Sequence, residues 1–183
     1  MKSLIVVLLV VLSLACSACG SIGTSGTAPR STVTQVLTSH YTARLSALNS
    51  SGVTGTVDFQ VTGNALVVKM KVTGLIPNQK HFQHIHGDGT ATCPTTTDAK
   101  AGVTFSEAMT NIGPLAFDLQ PYPLADAQGK LDLTQTFTLD PDELASITPL
   151  TGHVMVLHGA YNHGQYDRFL PAACGRILVA GPE

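Results

Sequence analysis

The sequence predicts an all-β domain, an antiparallel sandwich or barrel with at most one short helix. In several short runs apolar residues alternate with polar ones at a period of two, and Val, Thr and Phe are enriched there. Turns rich in Gly, Pro and Asn separate these runs. Many short strands joined by such turns are typical of antiparallel sandwiches and barrels.

The N-terminus has the layout of a secretory signal peptide. Lys2 supplies a positive charge, residues 4–12 form an almost unbroken apolar run, and small residues follow. The run is shorter than the roughly 20 apolar residues that a membrane-spanning helix needs. We therefore expect an exported protein, with residues 1–19 as the signal segment, 20–32 as a flexible linker and 33–183 as the β-domain.

Two cysteines, Cys16 and Cys19, follow the apolar run, and each is preceded by an alanine. The segment 12–16 resembles the lipobox of bacterial lipoproteins, in which the cysteine thiol is acylated, and Cys19 offers a second acceptor. We therefore expect a protein of the bacterial cell envelope that contacts the membrane through its lipid alone. Cleavage after an alanine without acylation, which would give a secreted or periplasmic protein, is the alternative.

The charge of the chain excludes one class of partner. The formal net charge is −2 and charged residues make up 12% of the chain. Because the sequence contains no basic stripe, we expect no nucleic-acid partner.

The strands can be placed in order along the β-domain. Gly63 and Asn64 separate two alternating runs and indicate a hairpin. Residues 87–111, rich in Gly, Thr and Asp, are predicted to form a long loop. The predicted strands are residues 54–61, 64–73, 81–86, 115–119, 131–139, 154–158 and 175–179.

One helix start stands out in the sequence. Asp140 can cap it, Pro141 suits the first helical position, and Glu143 completes a capping box. We expect a helix of one or two turns.

The β-domain keeps two cysteines, Cys93 and Cys174. An even pair in an oxidising compartment predicts a disulfide, and the alternative is a pair of thiolate metal ligands. Closing a loop of about 80 residues would stabilise the fold by about 4 kcal/mol.

The histidines are the best candidates for metal ligands. His84 and His86 are two residues apart, so on a strand their rings share one face and can bind one ion. His81 has the opposite parity and is expected to point elsewhere. A buried or solvated histidine pair without a metal is the alternative.

His158 ends a strongly apolar predicted strand, and a Gly-rich loop is predicted to follow it, which is a suitable place for a third ligand. His163 lies in the same predicted loop and is a fourth ligand, an outer-shell residue or a solvated side chain. His153 begins the strand that His158 is predicted to end, too far away for both to bind one ion, and His40 is interpreted as structural. Imidazole suits copper, zinc, iron and nickel, so the ligands alone do not name the metal.

At this point the sequence resembles a known family, the Cu,Zn superoxide dismutases. Residues 74–88, followed by Cys93, resemble the first copper-ligand strand of that family. Residues 152–158, followed by residues 172–177, resemble its last ligand strand and second cysteine. The same features are similar to the related CHRD domain.

The resemblance implies a Greek-key β-barrel or flattened sandwich that binds copper, with zinc the less favoured metal. By position, His84, His86 and His158 match the copper ligands, and His81 matches a structural histidine. Cys93 and Cys174 match the intradomain disulfide.

The departures from the family are equally specific. No histidine occurs between Gly87 and Gly152, so the bridging histidine and the zinc ligands are missing. Pro171 stands where the family carries an active-site arginine, and Arg168 and Arg176 are near but out of register. Fast superoxide dismutation is therefore not expected, and no catalytic residue is assigned, although a small anion such as superoxide stays a candidate partner.

Three functions follow from these residues. The first is an envelope copper protein that stores copper or retains slow redox chemistry with superoxide or peroxide. The second is a non-catalytic CHRD-like binding or adhesion module. The third is a mononuclear zinc site that activates water, for which the sequence offers no well-placed general base.

Overall fold

A computed structural model describes residues 36–94 and 110–181 of the chain. The predicted signal segment, the linker and the two acylation candidates Cys16 and Cys19 lie outside the described residues, as does much of the predicted long loop. Within the described part, none of the helices has both the length and the apolar composition needed to span a bilayer.

The described part contains eight strands and a short helix, and residues 110–112 are also helical. Seven of the strands and the helix after Asp140 correspond to predicted elements. The helix α1 spans Pro141–Ile147. The strands are β1 Thr38–Ala47, β2 Thr54–Thr62, β3 Ala65–Thr73, β4 Gln83–His86, β5 Leu115–Asp118, β6 Leu131–Thr138, β7 Val154–Asn162 and β8 Gln165–Val179.

All strand pairs are antiparallel, in the order β5-β4-β7-β8-β1-β2-β3-β6. The long strand β8 pairs with both β7 and β1, so it joins the two halves of the sheet. Strand neighbours that are distant in sequence, such as β3 with β6 and β4 with β7, require the crossing connections of a Greek-key barrel. The predicted all-β fold is therefore confirmed.

Period-two alternation places one face of each strand in the main core. In β3 the side chains of Leu66, Val68 and Met70 are fully buried. The side chains of Lys69 and Lys71, on the two sides of Met70, are exposed. Buried side chains from every strand contribute to one large cluster inside the barrel. Burial of apolar surface of this kind is the dominant stabilising contribution to such a fold.

A second, smaller apolar cluster lies on the opposite face of β7. Val154 and Val156 point into it, whereas Met155 and Leu157 between and beside them point into the main core. Cys174 also belongs to this cluster, and it forms the predicted disulfide with Cys93 across 81 residues of sequence. The disulfide thus ties the segment after β4 to strand β8.

The seam between the two terminal strands of the sheet is closed by side chains. Among the described strands, β5 and β6 end the order and share no ladder. Phe117 of β5 and Phe137 of β6 meet edge to face, with ring centroids 5.6 Å apart. Buried Gln83 donates to Gln135 at 2.7 Å, and Gln135 donates to the carbonyl of Pro121 at 2.8 Å.

Helix α1 begins as the sequence predicts. The Asp140 side chain accepts from the backbone N–H groups of Asp142 and Glu143, and the Glu143 side chain accepts from the N–H of Asp140. This is a complete capping box, which satisfies backbone donors that the helix leaves unpaired.

The last two strands are longer than the sequence predicts. Strand β7 continues past His158 to Asn162, and β8 starts already at Gln165. The prediction that His158 ends its strand and opens into a loop was therefore wrong. Gly159 and Pro171 conceal the continuation, because both residues usually disfavour strands, and the chain accommodates them at a bulge.

Candidate metal centre

Three histidines from two strands converge at one point, where His86 and His158 are buried and His84 is partly exposed. His84 and His86 of β4 and His158 of β7 each offer one ring nitrogen, and these nitrogens all lie within 4.8 Å of one another. No other group of three or more His, Cys, Asp or Glu side chains with this spacing occurs among residues 36–94 and 110–181. The predicted convergence of these three rings is thus what the structure shows.

Strand alternation explains the position of the first two rings. Ile85 points into the main core and is fully buried, so His84 and His86 on either side of it both lie on the opposite face of the strand, away from that core. His84 lies opposite Val156 of β7 and also opposite Asp118 of β5, while His86 lies opposite Val154. The pair therefore stands on the middle strand of three, beside the second apolar cluster.

His158 reaches the same point from a bulge in β7. The pairing of β7 with β8 shifts register on both sides of His158, which lies opposite Pro171. Pro171 has no N–H to donate to the ladder, and Gly159 supports the bulge with a φ of 102°. Toward β4, the backbone N–H of His158 donates to the carbonyl of Phe82, the residue two before His84, at 2.9 Å.

His81 holds this bulge from the other side. Its Nδ1 lies 2.9 Å from the carbonyl oxygen of His158, and its Nε2 lies 3.1 Å from that of Ile76. The ring is fully buried, and the edge of Tyr166 packs against it. The prediction that His81 points away from the histidine pair is confirmed, and its contacts position the backbone that carries His158.

Hydrogen bonds on the far side of two rings fix their tautomers. Nδ1 of His158 lies 2.7 Å from the carbonyl oxygen of Phe169, and Nδ1 of His86 lies 3.2 Å from that of Gly113. A carbonyl oxygen can only accept, so each Nδ1 carries the proton. The Nε2 atoms of His86 and His158 therefore keep their lone pairs, the form that binds a metal.

His84 is oriented by a carboxylate and a phenol. Its Nε2 lies 3.4 Å from Asp118 Oδ1 and 3.4 Å from the Tyr122 hydroxyl, which itself donates to Asp118 at 2.7 Å. Because the Tyr122 hydroxyl donates to Asp118, its oxygen accepts from Nε2–H of His84, and Nδ1 of His84 keeps the lone pair. That atom lies 3.2 Å from Nε2 of His158.

Burial keeps the three rings neutral. Desolvation lowers the pKa of His158 to about 3 and that of His86 to about 4, although the carbonyls of Phe169 and Gly113 act in the opposite direction. Desolvation also lowers the pKa of His84, and the Asp118 charge opposes it. Neutral imidazole is the form that metals bind, so no proton has to leave before binding at neutral pH.

The other histidines stand apart from this group. His163 is exposed and occupies the two-residue turn between β7 and β8, five residues from His158. Five residues of strand span roughly 16 Å, so the structure does not bring His163 to the other three rings. His153 is buried with its Nε2 3.1 Å from the Ser146 carbonyl, and His40 is an exposed residue of β1.

An aromatic group lies beside the three rings. Phe82 stacks on Tyr122 with centroids 4.2 Å apart and meets Phe169 edge to face at 5.5 Å. The Arg168 guanidinium lies over Phe169 at 4.8 Å and over Phe82 at 5.7 Å. These contacts hold Phe169, whose carbonyl orients His158, and Tyr122, whose hydroxyl orients His84.

Sequence reasoning missed the residues that orient the rings. No local pattern in the sequence marks Asp118 or Tyr122 as part of a site. Both act through the pairing of β4 with β5, which joins residues 34 positions apart and is not encoded in local spacing. Gly113 and Phe169 contribute backbone carbonyls, which any residue could supply.

The comparisons with known proteins support the fold. No protein-family model and no curated protein sequence matches the chain. Among solved structures, superoxide dismutase 5 of Candida albicans in its Cu(II) form aligns at 14% identity with a TM-score of 0.51, covering 80% of this chain and 95% of that chain. A glutamate-to-alanine variant of that enzyme aligns at 14% identity with a TM-score of 0.53, covering 81% and 94%.

At this identity the likeness concerns the fold alone. The chain has a superoxide dismutase-like β-barrel, an intradomain disulfide and a cluster of three histidines that could hold a metal ion.

Proposed function

We propose that the chain is an exported, lipid-anchored protein that binds one copper ion through His84, His86 and His158 on a superoxide dismutase-like scaffold. One observation carries the proposal: three neutral imidazoles from two strands direct their unprotonated nitrogens to one point. The orienting hydrogen bonds on the far side of each ring are those found around metal-binding histidines.

The unprotonated ring nitrogens of the three histidines can bind a metal ion, but they cannot hydrogen-bond to one another. The buried Nε2 of His86 has no hydrogen-bond partner in the described part of the chain. Nδ1 of His84 and Nε2 of His158 face each other at 3.2 Å, and both carry lone pairs in the tautomers argued above. A cation between these atoms would satisfy all three, and a buried polar atom without a partner is costly.

Copper is favoured over zinc on chemical grounds. Nitrogen sites bind Cu²⁺ more tightly than Zn²⁺ in the general order of divalent metals, and imidazole suits both. One of the structurally similar enzymes carries Cu(II). With three protein ligands the site keeps a position for a small ligand, as open metal sites do.

Copper in such a site would supply one-electron chemistry toward small oxygen species. The chain's own residues bury the rings and hold them neutral. No bridging histidine and no arginine at position 171 assist a small anion, since Pro171 stands there. We therefore assign the site to copper binding, with slow reaction toward superoxide or peroxide as a secondary property.

Export and anchoring rest on the N-terminal sequence and on the disulfide. The lipobox-like segment 12–16 supports acylation of Cys16, with Cys19 as the second acceptor. The bond between Cys93 and Cys174 fits an oxidising compartment, since disulfides persist there and are rare in the cytosol. Labelling of the expressed full-length chain with a radioactive fatty acid, compared between wild type and Cys16→Ser, tests this part.

Metal titration tests the copper site. Purified mature protein is titrated with Cu²⁺ and with Zn²⁺ in competition with a chelator of known affinity. We expect one copper per chain at micromolar or tighter affinity, with nitrogen hyperfine structure in the electron paramagnetic resonance spectrum, and loss of both in His84→Ala. Tighter zinc than copper binding would assign a zinc site, and indifference to both metals would leave a CHRD-like binding module.

A further inference from the structure

Tyr122 differs from the other tyrosines in its surroundings. Its hydroxyl lies 3.4 Å from Nε2 of His84 and donates to Asp118 at 2.7 Å. The chain has four tyrosines and no tryptophan. Of the other three, Tyr41 packs in the main core, Tyr161 is exposed on β7, and Tyr166 donates to the carbonyl of Lys80. Tyr122 is therefore the tyrosine whose hydroxyl contacts a ring of the histidine site.

We infer that Tyr122 is an electron donor to the His84–His86–His158 site, and that the phenol is oxidised by peroxide chemistry at that site before the ligand rings are. The inference rests on the proposed copper binding. It adds a modification site to the copper site and names hydrogen peroxide, with a small reductant, as the reactants.

The hydrogen bonds around Tyr122 suit the loss of an electron together with a proton. The phenol O–H already points at a carboxylate, so the proton can pass along an existing hydrogen bond of 2.7 Å to Asp118. The same oxygen is next to Nε2 of His84, whose other ring nitrogen faces the proposed metal. One imidazole thus separates the phenol from the oxidant.

The electron balance of the step is complete. One electron from a reductant such as ascorbate, with one proton, splits hydrogen peroxide into water and a hydroxyl-radical equivalent. That equivalent takes one electron from Tyr122 and one proton from solvent and leaves as water. The phenol loses its hydroxyl proton to Asp118 and becomes a neutral phenoxyl radical. No bond to the ligand rings is formed or broken.

Packing contacts hold the Tyr122 ring, and therefore the phenoxyl radical, in a fixed position. The Tyr122 ring stacks on Phe82 with an interplanar angle of 24°, and Phe82 in turn packs against Phe169. The tyrosine ring is only partly exposed. Removal of the hydroxyl alone, in Tyr122→Phe, leaves these ring contacts possible, so the variant tests the phenol and not the packing.

The experiment treats copper-loaded mature protein with hydrogen peroxide and ascorbate, and follows it by freeze-quench electron paramagnetic resonance and by peptide mass mapping of nitroso spin-trap adducts. We expect a tyrosyl signal and an adduct on the Tyr122 peptide. Both are lost in Tyr122→Phe, in which oxidation of the three histidines becomes faster. Tyr161→Phe, a substitution on the exposed part of β7, is the matched control and should behave as wild type.

The outcomes separate this inference from the copper proposal. Metal-free and zinc-loaded proteins are treated in parallel and should give no tyrosyl signal. If copper binds but the histidines are oxidised at the same rate in wild type and Tyr122→Phe, with no adduct on Tyr122, the inference is overturned and the copper site stands. If the initial titration shows no copper binding, the copper proposal fails first.

Discussion

Nδ1 of His84 lies 3.2 Å from Nε2 of His158, although the two rings belong to different strands and are separated by 74 residues of sequence. Each ring donates its other N–H to an oxygen acceptor, His158 to the Phe169 carbonyl and His84 to the Tyr122 hydroxyl, with the Asp118 carboxylate 3.4 Å from the same nitrogen of His84. Two lone pairs at this distance favour a cation between them. This relationship is the basis of the predictions below.

Removal of the β7 ring should abolish tight copper binding. We expect His158→Gln to lower the copper affinity by more than the roughly 10–100-fold that loss of an outer-shell partner costs, because a ligand is removed. The measurement is competition with a chelator followed by absorbance. His163→Gln is the control, since His163 is exposed at the β7–β8 turn, and an equal loss in this variant would contradict the assignment.

The carboxylate behind His84 should contribute to affinity without binding the metal itself. In Asp118→Asn we expect about a 10-fold loss of copper affinity, because the negative charge 3.4 Å from Nε2 of His84 is removed and the Tyr122 hydroxyl that orients this ring loses its carboxylate acceptor. Isothermal titration calorimetry gives the affinity. Asp132→Asn removes one negative charge from β6, away from the ring, and distinguishes local orientation from net charge. Equal losses in both variants would show that only net charge matters.

Gly159 should matter for the site as well as for stability. A side chain there would require a strained φ of 102° and would collide with the Tyr166 hydroxyl and with Nδ1 of His81. We expect Gly159→Ala to lower both the free energy of unfolding, by about 1–3 kcal/mol, and the copper affinity.

Gly164→Ala is the matched control for Gly159→Ala. Gly164 has a φ of 80° in the same hairpin, but an added Cβ there meets nothing within 4 Å. Chemical denaturation should show a loss of stability in both variants, whereas copper titration should show weakening in Gly159→Ala alone. Unchanged copper binding in Gly159→Ala would mean that the bulge does not position His158.

The metal-free protein should lose stability on acidification. Burial lowers the pKa of His158 to about 3 and of His86 to about 4, below the ordinary value of 6.5 that holds in the unfolded chain. Between these values the unfolded state binds more protons, so stability is complete above about pH 6.5 and is lost as the pH falls toward about 3 to 4.

Thermal melts of the metal-free protein at several pH values test this dependence. The melting temperature should fall as the pH is lowered, and it should fall less steeply in His158→Gln, which lacks one of the buried rings. His40→Gln, in which an exposed ring is removed, should follow wild type. A slope in His158→Gln as steep as that of wild type would refute the role of buried neutral histidine.

Sequence periodicity was sufficient to predict most of the strands and the helix. The alternation in β2 and β3 is clean because each strand has one buried and one solvated face. The capping residues of α1 act locally, so they can be identified without the rest of the fold. The same period of two predicts that the rings of His84 and His86 lie on one face of their strand.

Local sequence patterns could not predict which strands pair with each other when they are distant in sequence. The extension of β7 and β8 could not be predicted because Gly159 and Pro171 usually end strands, and only their pairing across the bulge shows why they are tolerated here. The partnership of Asp118 and Tyr122 with His84 depends on which strand lies beside β4, which is decided by closure of the whole barrel. The tautomers of His86 and His158 depend on carbonyls that any sequence could present.

The seam between β5 and β6 is closed by side chains alone, so it is the place where the barrel can open locally. Opening there breaks no backbone ladder, so amide groups that face the seam should exchange with solvent through small local openings. The histidine site lies on the other side of β5, on the ladders that join β5 to β4 and β4 to β7. In such a local opening, Asp118 and His84 would move together, because the ladders between β5, β4 and β7 stay intact. The three rings would therefore keep their relative positions.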